Sequence, residues 1–270
     1  MAGHGGMVGS AVVRRLSGCD VELLTVDRSD LDLRDAAAVR VWIADRRPEV
    51  IVLAAARVGG IRANDTRPAD FLFDNLAIQQ SVIGAAASCG VAKLMVLGSS
   101  CIYPRLAPQP IATSQLLAGP LEPTNEWYAV AKIAGIKLAQ AFRRQHGLDF
   151  ISAIPTSLYG PGDNFDAESG HVIPGLMRKA HEARRDGAYG ITVWGSGAPL
   201  REFMHVDDLA DEDPVVAGLD RLVDGADHVG DGVLVQDRAA AWTGAQLLDL
   251  PGARHELMFE SAPVAERFMS

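Results

Sequence analysis

Four short apolar, largely β-branched runs punctuate the first two-thirds of the chain: Val21–Val26, Val50–Ala54, Leu94–Leu97 and Phe150–Ile154. Each is too short for a helix and shows no polar alternation, the pattern of strands covered on both faces. Between them lie helix-like segments over Val8–Leu16, Asp35–Arg46, Pro68–Cys89 and Asn125–His146. Strands that alternate with helices predict βαβ units and a Rossmann-like, doubly wound parallel α/β sheet. The proline-rich stretches Tyr103–Pro110 and Pro120–Pro123 follow the third run and read as loops. No repeat or low-complexity tract interrupts the pattern, which holds until about Asp211.

Composition adds boundaries to this picture. At 270 residues, 48% hydrophobic and 22% charged, the chain has enough apolar side chains to build a sizeable core and is not mainly disordered. No apolar run is long enough to span a bilayer, and MAGHGGMVGS lacks the basic-then-apolar layout of a signal peptide. Three cysteines, Cys19, Cys89 and Cys101, cannot all pair, which points to a reducing, cytoplasmic setting. A net charge of −9 argues against a nucleic-acid surface, although a local basic cluster still suits a small phosphorylated ligand.

The candidate chemistry begins at Gly3-His4-Gly5-Gly6-Met7-Val8-Gly9, just before the first helix. Glycines there permit a tight turn and let backbone N–H groups approach a pyrophosphate at the helix's positive end. Asp27 ends the next run, where an acid holds an adenosine ribose hydroxyl; Arg28 beside it can instead meet a 2′-phosphate. Only Met1 and Ala2 precede Gly3, so the strand that should lead into this turn is missing. We expect a truncated first strand, or an edge supplied by a partner, and favour truncation.

Tyr128 and Lys132 stand four residues apart on one helix face, a spacing that lets an ammonium stabilise a phenolate and lower its pKa. Gly98-Ser99-Ser100-Cys101 lies where the third run ends, the edge at which such sheets bind ligands. Ser99 can bond a ketone oxygen there while Tyr128 donates the proton. Each feature alone also fits an ordinary helix or a turn of small residues. Cys101 and His171, taken singly, read equally well as packing residues.

The ordered string GSSCIYP (98–104), LEPTNEWYAVAKIAGIKL (121–138), PTSLYGPGDNF (155–165), HVIP (171–174) and VWGSGAPLREFMHVDDLA (193–210) resembles the extended short-chain dehydrogenase/reductase family. The resemblance runs from about Gly3 to Ala210. It implies NADPH as cofactor and a GDP-4-keto-6-deoxy-mannose substrate that is epimerised at C3 and C5 and reduced at C4. It implies a dinucleotide-binding domain over residues 1–160, part of a nucleotide-sugar-binding region over 161–211, and a homodimer joined through the long helices. Gly3, Gly6, Met7, Val8 and Gly9 would cradle the pyrophosphate, and Asp27 and Arg28 through Leu33 the adenosine end. Leu97, Gly98, Ser100, Lys132, Pro155, Thr156 and Leu158 would line the rest of the cofactor. Tyr128 would donate the proton, Ser99 orient the keto oxygen, and Cys101 and His171 act as the acid–base pair of the epimerisation. Lys179, Trp194 and Arg201 match positions that contact the sugar nucleotide. The resemblance leaves room for another nucleotide-sugar epimerase or dehydratase, and for a remnant without activity. A basic residue usual in this family is replaced here by Gly5.

Residues 212–270 depart from the family's pattern. Pro214–Val223 and Pro251–Leu257 resemble the end of a lysophospholipase-type α/β-hydrolase, with Asp220 and His255 at its acid and base positions, but no Gly-x-Ser-x-Gly elbow exists in the chain. We therefore expect a fused or frame-disrupted form with a small, irregular C-terminal portion and no hydrolase site.

Overall fold

The computed structural model describes residues 1–167, 169–193 and 201–211, together with the backbone of Val233–Val235. Four parallel strands, β1 (Val50–Leu53), β2 (Lys93–Leu97), β3 (Asp149–Ile154) and β6 (Val233–Val235), form the main sheet in the order β1-β2-β3-β6. A second pair, β4 (Ser157–Tyr159) and β5 (Phe203–His205), runs parallel beside the cleft.

β1, β2 and β3 are largely buried on both faces, as their mainly apolar sequence predicts. Along β2, Leu94 and Val96 pack with the cluster of Val39, Ile43, Val82, Ile83 and Phe150, whereas Met95 and Leu97 point the other way to Ala11, Val12, Leu16 and Val206. Successive residues thus feed opposite layers, the two-residue period of a strand. Helices α2 (Ala36–Arg46), α4 (Pro68–Cys89) and α5 (Glu126–His146) cover the first face, and α1 (Met7–Leu16) and α7 (Val206–Asp211) the second. The short α3 (Ile61–Thr66) precedes α4, and α6 (Val172–Arg185) follows β4.

Local chemistry sets the helix ends. The Asp35 carboxylate accepts hydrogen bonds from Ala37 N and Ala38 N, each at 3.0 Å, and so satisfies two otherwise unpaired donors of α2. Pro68 opens α4, where a missing N–H costs nothing, and Gly90 closes it in the left-handed region at φ 73°. α5 carries Arg143 and Arg144 in its last turn, cations placed against the negative end of the helix dipole.

Two expectations need correction. Val21–Val26 is extended but is not a strand of the sheet. A ladder needs successive pairs, and among the described residues the chain start reaches this run with one bond, the Met1 amino group donating to Leu24 O at 2.7 Å, while Ala2 makes a single parallel bridge to Leu53. The region beyond Asp211 is also not wholly irregular. Val233–Val235 pairs in parallel register with Ser152–Ile154 of β3, adding a strand that the glycine- and aspartate-rich sequence around it did not announce. Among the described residues all three cysteines are free, and no helix is long and apolar enough to cross a membrane.

Candidate active site

The carboxyl ends of β1, β2 and β3 open onto one cleft of about 1510 Å³, larger than a pocket for one small ligand. Its floor is the glycine turn. Gly3 has φ +91°, and a Cβ there would sit 2.6 Å from Ala55 N; a Cβ on Gly9 would lie 1.9 Å from Gly3 O. Both positions therefore exclude any side chain, and the turn presses backbone against backbone. Gly6 caps α1 without a side chain and no acid occupies the first turn, so the helix offers its N–H groups and positive end to an anion. These features fit a dinucleotide pyrophosphate. At the turn's edge His4 Nε2 lies 3.3 Å from Asp27 Oδ1, with Arg28 exposed beside them.

The reactive groups gather where β2 ends. Ser99 leads into a single 3₁₀ turn, Ser100–Ile102, that carries Cys101. α5 rises past it and places Tyr128 and Lys132 on the cleft side. Lys132 is 5% exposed; its ammonium donates to Leu97 O at 2.7 Å and stands 5.7 Å from the Tyr128 ring centre. The Ser99 hydroxyl stands close to both the Tyr128 phenol and the Cys101 thiol and favours the charged form of each. His171 heads α6 and faces the cleft, its imidazole unused in capping the helix.

Burial governs the protonation of this group. It brings the Lys132 ammonium down to about 8, with the nearby Cys101 charge acting in the opposite sense. It pushes the Cys101 thiol up, against the Ser99 hydrogen bond and the Lys132 charge. It also raises the Tyr128 phenol, helped by Cys101 and opposed by the Ser99 bond. The expected lowering of the phenol by Lys132 is therefore not found in the free cleft. The ammonium is spent on the Leu97 carbonyl, and desolvation of the ring outweighs charge at that distance. His171 is lowered by the protein atoms around it, with the Asp163 charge opposing.

The cleft brings together nearly all the residues singled out from sequence. Gly3, Gly6, Met7, Val8, Gly9, Asp27, Arg28, Leu33, Leu97, Gly98, Ser99, Ser100, Cys101, Tyr128, Lys132, Pro155, Thr156, Leu158, His171, Lys179 and Arg201 all line it. Lys179 donates to Thr192 O at 3.1 Å. Trp194, Asp220 and His255 lie outside the described residues.

Sequence reasoning missed part of the wall. Asp74, 7% exposed on α4, accepts from Arg34 at 2.9 Å and from Arg57 at 2.7 Å, and all three line the cleft. Burial alone would raise this carboxyl, but the two guanidiniums hold it below its usual value. Beside it the Asn75 amide, 2% exposed, accepts from Arg57 N at 2.8 Å and donates to Arg57 O at 3.0 Å. The helix carries other polar residues, Asp70, Gln79, Gln80 and Ser81, so the Asp-Asn pair did not stand out in the sequence.

Residues 1–212 match the model of the NAD dependent epimerase/dehydratase family. The chain belongs to that family. A probable GDP-L-fucose synthase 1 of Oryza sativa subsp. japonica is 58% identical over 213 residues, which are 78% of this chain and 65% of that protein. The GDP-L-fucose synthase of Escherichia coli K12 is 56% identical over 211 residues, 78% of this chain and 66% of the relative. The chain thus spans about two-thirds of the length of such relatives. Among solved structures, a GDP-L-fucose synthetase from Naegleria fowleri bound to NADP superposes with a TM-score of 0.74 at 31% identity, covering 87% of this chain and 74% of that one. As an epimerase/dehydratase-family member, the chain places its glycine turn and its Tyr-x-x-x-Lys face on one cleft.

Proposed function

We propose that this chain is an NADPH-dependent 3,5-epimerase and 4-reductase that converts GDP-4-keto-6-deoxy-D-mannose to GDP-L-fucose. One observation carries the reading: Ser99, Cys101, Tyr128, Lys132 and His171 line the same cleft as the glycine turn. The names of its relatives agree with it. In this reading residues 1–160 hold the cofactor, and 161–211 hold part of the sugar nucleotide with Lys179 and Arg201 near its diphosphate.

The chemistry follows from the ketone. A 4-keto group acidifies the C–H bonds at C3 and C5, because the electron pair left behind spreads onto the carbonyl oxygen. Cys101 and His171 act as the acid–base pair: one removes a proton, the other returns one to the opposite face, and the centre inverts. Ser99 and Tyr128 bond the oxygen on which charge collects. The same pair serves the second reaction, in which Tyr128 gives its proton to the C4 oxygen. NADPH, when bound, supplies the hydride. A phenol whose pKa is raised stays protonated at neutral pH, which suits a donor. Lys132 fixes the carboxyl end of β2 through Leu97 O and carries a charge toward the nicotinamide end. Arg28 is placed to meet a 2′-phosphate and Asp27 a ribose hydroxyl.

Titration of the purified chain with NADPH, followed by cofactor fluorescence, is expected to saturate in the micromolar range; a signal that stays linear into the millimolar range contradicts the reading. The homodimer belongs to the same proposal. Phe73 (70% exposed) and Leu76 on α4, and Trp127 and Val130 on α5, leave apolar surface on the two long helices. Analytical ultracentrifugation is expected to find a dimer at micromolar concentration, and a monomer there contradicts it.

A further inference from the structure

Acid–base work at carbon requires His171 to be held within a fraction of an ångström, yet α6 secures only its backbone, through Gly175 N donating to His171 O at 2.9 Å. The loop before it is fastened from across the cleft. Gly60 N, at the start of α3, donates to Ser169 O at 2.9 Å, and a Cβ on Gly60 would lie 2.7 Å from Gly170 O. Asn64, 5% exposed, holds that glycine in place: its amide nitrogen donates to Gly59 O at 2.7 Å and to Gly60 O at 3.1 Å. On the other side Asp166 ties the same loop, with Asp166 Oδ1 accepting from Ser169 N and Asp166 O from Gly170 N, each at 2.9 Å. His171 is the next residue.

We infer that Gly60 and Asn64 are positioning residues for His171, a clasp that sets how far its imidazole stands from the sugar carbons. The inference rests on the function proposed above and deepens it. Gly60 is the informative position because its backbone (φ −65°, ψ 177°) suits any residue. Alanine there leaves the start of α3 unstrained and meets one obstacle, the Gly170 carbonyl. That atom is backbone, so it yields only if the Ser169–His171 segment moves. None of the clasp's hydrogen bonds involves Ser99, Cys101, Tyr128 or Lys132, which sit on the loop after β2 and on α5.

The proton step keeps its balance with or without the clasp. A proton leaves C3 or C5 for one acid–base residue, the electron pair moves to the C4 oxygen, and the other residue returns a proton to carbon. The clasp changes only the distance over which the imidazole takes part.

The test is Gly60→Ala in the full chain. Two quantities are read: solvent deuterium entry at C3 and C5 of GDP-4-keto-6-deoxy-mannose without NADPH, and the NADPH dissociation constant. Deuterium entry is expected to slow by about 10–100-fold, the order of effect of a misplacement near 1 Å, with NADPH affinity held within about twofold. Unchanged deuterium entry overturns the inference. So does a parallel loss of deuterium entry and NADPH affinity, which is what general damage to the fold would give. If Gly60→Ala does not fold, Asn64→Ala is judged on the same two readings. A wild-type chain that exchanges no deuterium refutes the proposed function itself, whereas a normal wild type with an unaltered Gly60→Ala refutes only the clasp.

Discussion

Tyr128→Phe is expected to lower NADPH-dependent ketone reduction by roughly 10²–10⁴-fold, the usual worth of a positioned proton donor. The ring fills the same space and keeps its edge-on contact with Phe71, whose centre lies 6.4 Å away, so packing changes little. What is lost is the O–H beside Ser99 that, in the proposed mechanism, gives its proton to the C4 oxygen. Burial raises that phenol, so in the proposed mechanism each reduction starts with its donor protonated. Single-turnover NADPH oxidation, with the NADPH dissociation constant measured beside it, checks this. A variant that reduces at close to the wild-type rate removes Tyr128 from the role.

Cys101→Ser carries the second large effect, and on the other reaction. Deuterium entry at the carbons beside the ketone is expected to fall about 10²-fold or more, while some direct reduction persists. A serine hydroxyl is nearly isosteric but loses its proton far less readily than a thiol. Burial already pushes the Cys101 thiol up, and the Lys132 charge and the Ser99 bond pull against that shift. On the proposed mechanism this suits a neutral thiol that gives a proton, with a cation close enough to stabilise the thiolate left behind. Nuclear magnetic resonance of the sugar in heavy water reads the result. Deuterium entry at the wild-type rate would show that the thiol is not part of the exchange.

The fold was legible wherever one residue type forces one geometry. Mainly apolar runs marked β1, β2 and β3 because strands covered on both faces have no solvent-facing polar side to show. Pro68 and Cys89 bounded α4 to the residue, since proline starts a helix cheaply and Gly90 ends it. Val21–Val26 reads as a strand by its valines and leucines but forms no ladder with a neighbour, and pairing is a tertiary fact. The converse holds for Val233–Val235, whose pairing with β3 depends on an edge that its local sequence does not describe.

The site was legible in its chemistry-bearing residues and illegible in its supports. Tyr128, Lys132, Ser99 and the glycine turn each carry a recognisable spacing, and one cleft gathers them. The sign of the phenol's shift was not legible, because it depends on where the Lys132 ammonium goes, and Leu97 O takes it. Asp74 and Asn75 escaped notice because they act through contacts with other segments, two arginines and the backbone of Arg57, and Asn64 because it bonds only the carbonyls of Gly59 and Gly60 one turn before it. Nothing in the spacing of those residues distinguishes them from ordinary polar helix positions.

The most direct measurement combines the purified chain with GDP-4-keto-6-deoxy-mannose and NADPH in heavy water, followed by nuclear magnetic resonance of the sugar. The account predicts that NADPH is consumed in step with a 4-hydroxyl sugar nucleotide carrying deuterium at both C3 and C5. A chain that leaves NADPH and ketone untouched, or reduces the ketone without deuterium at either carbon, would contradict it.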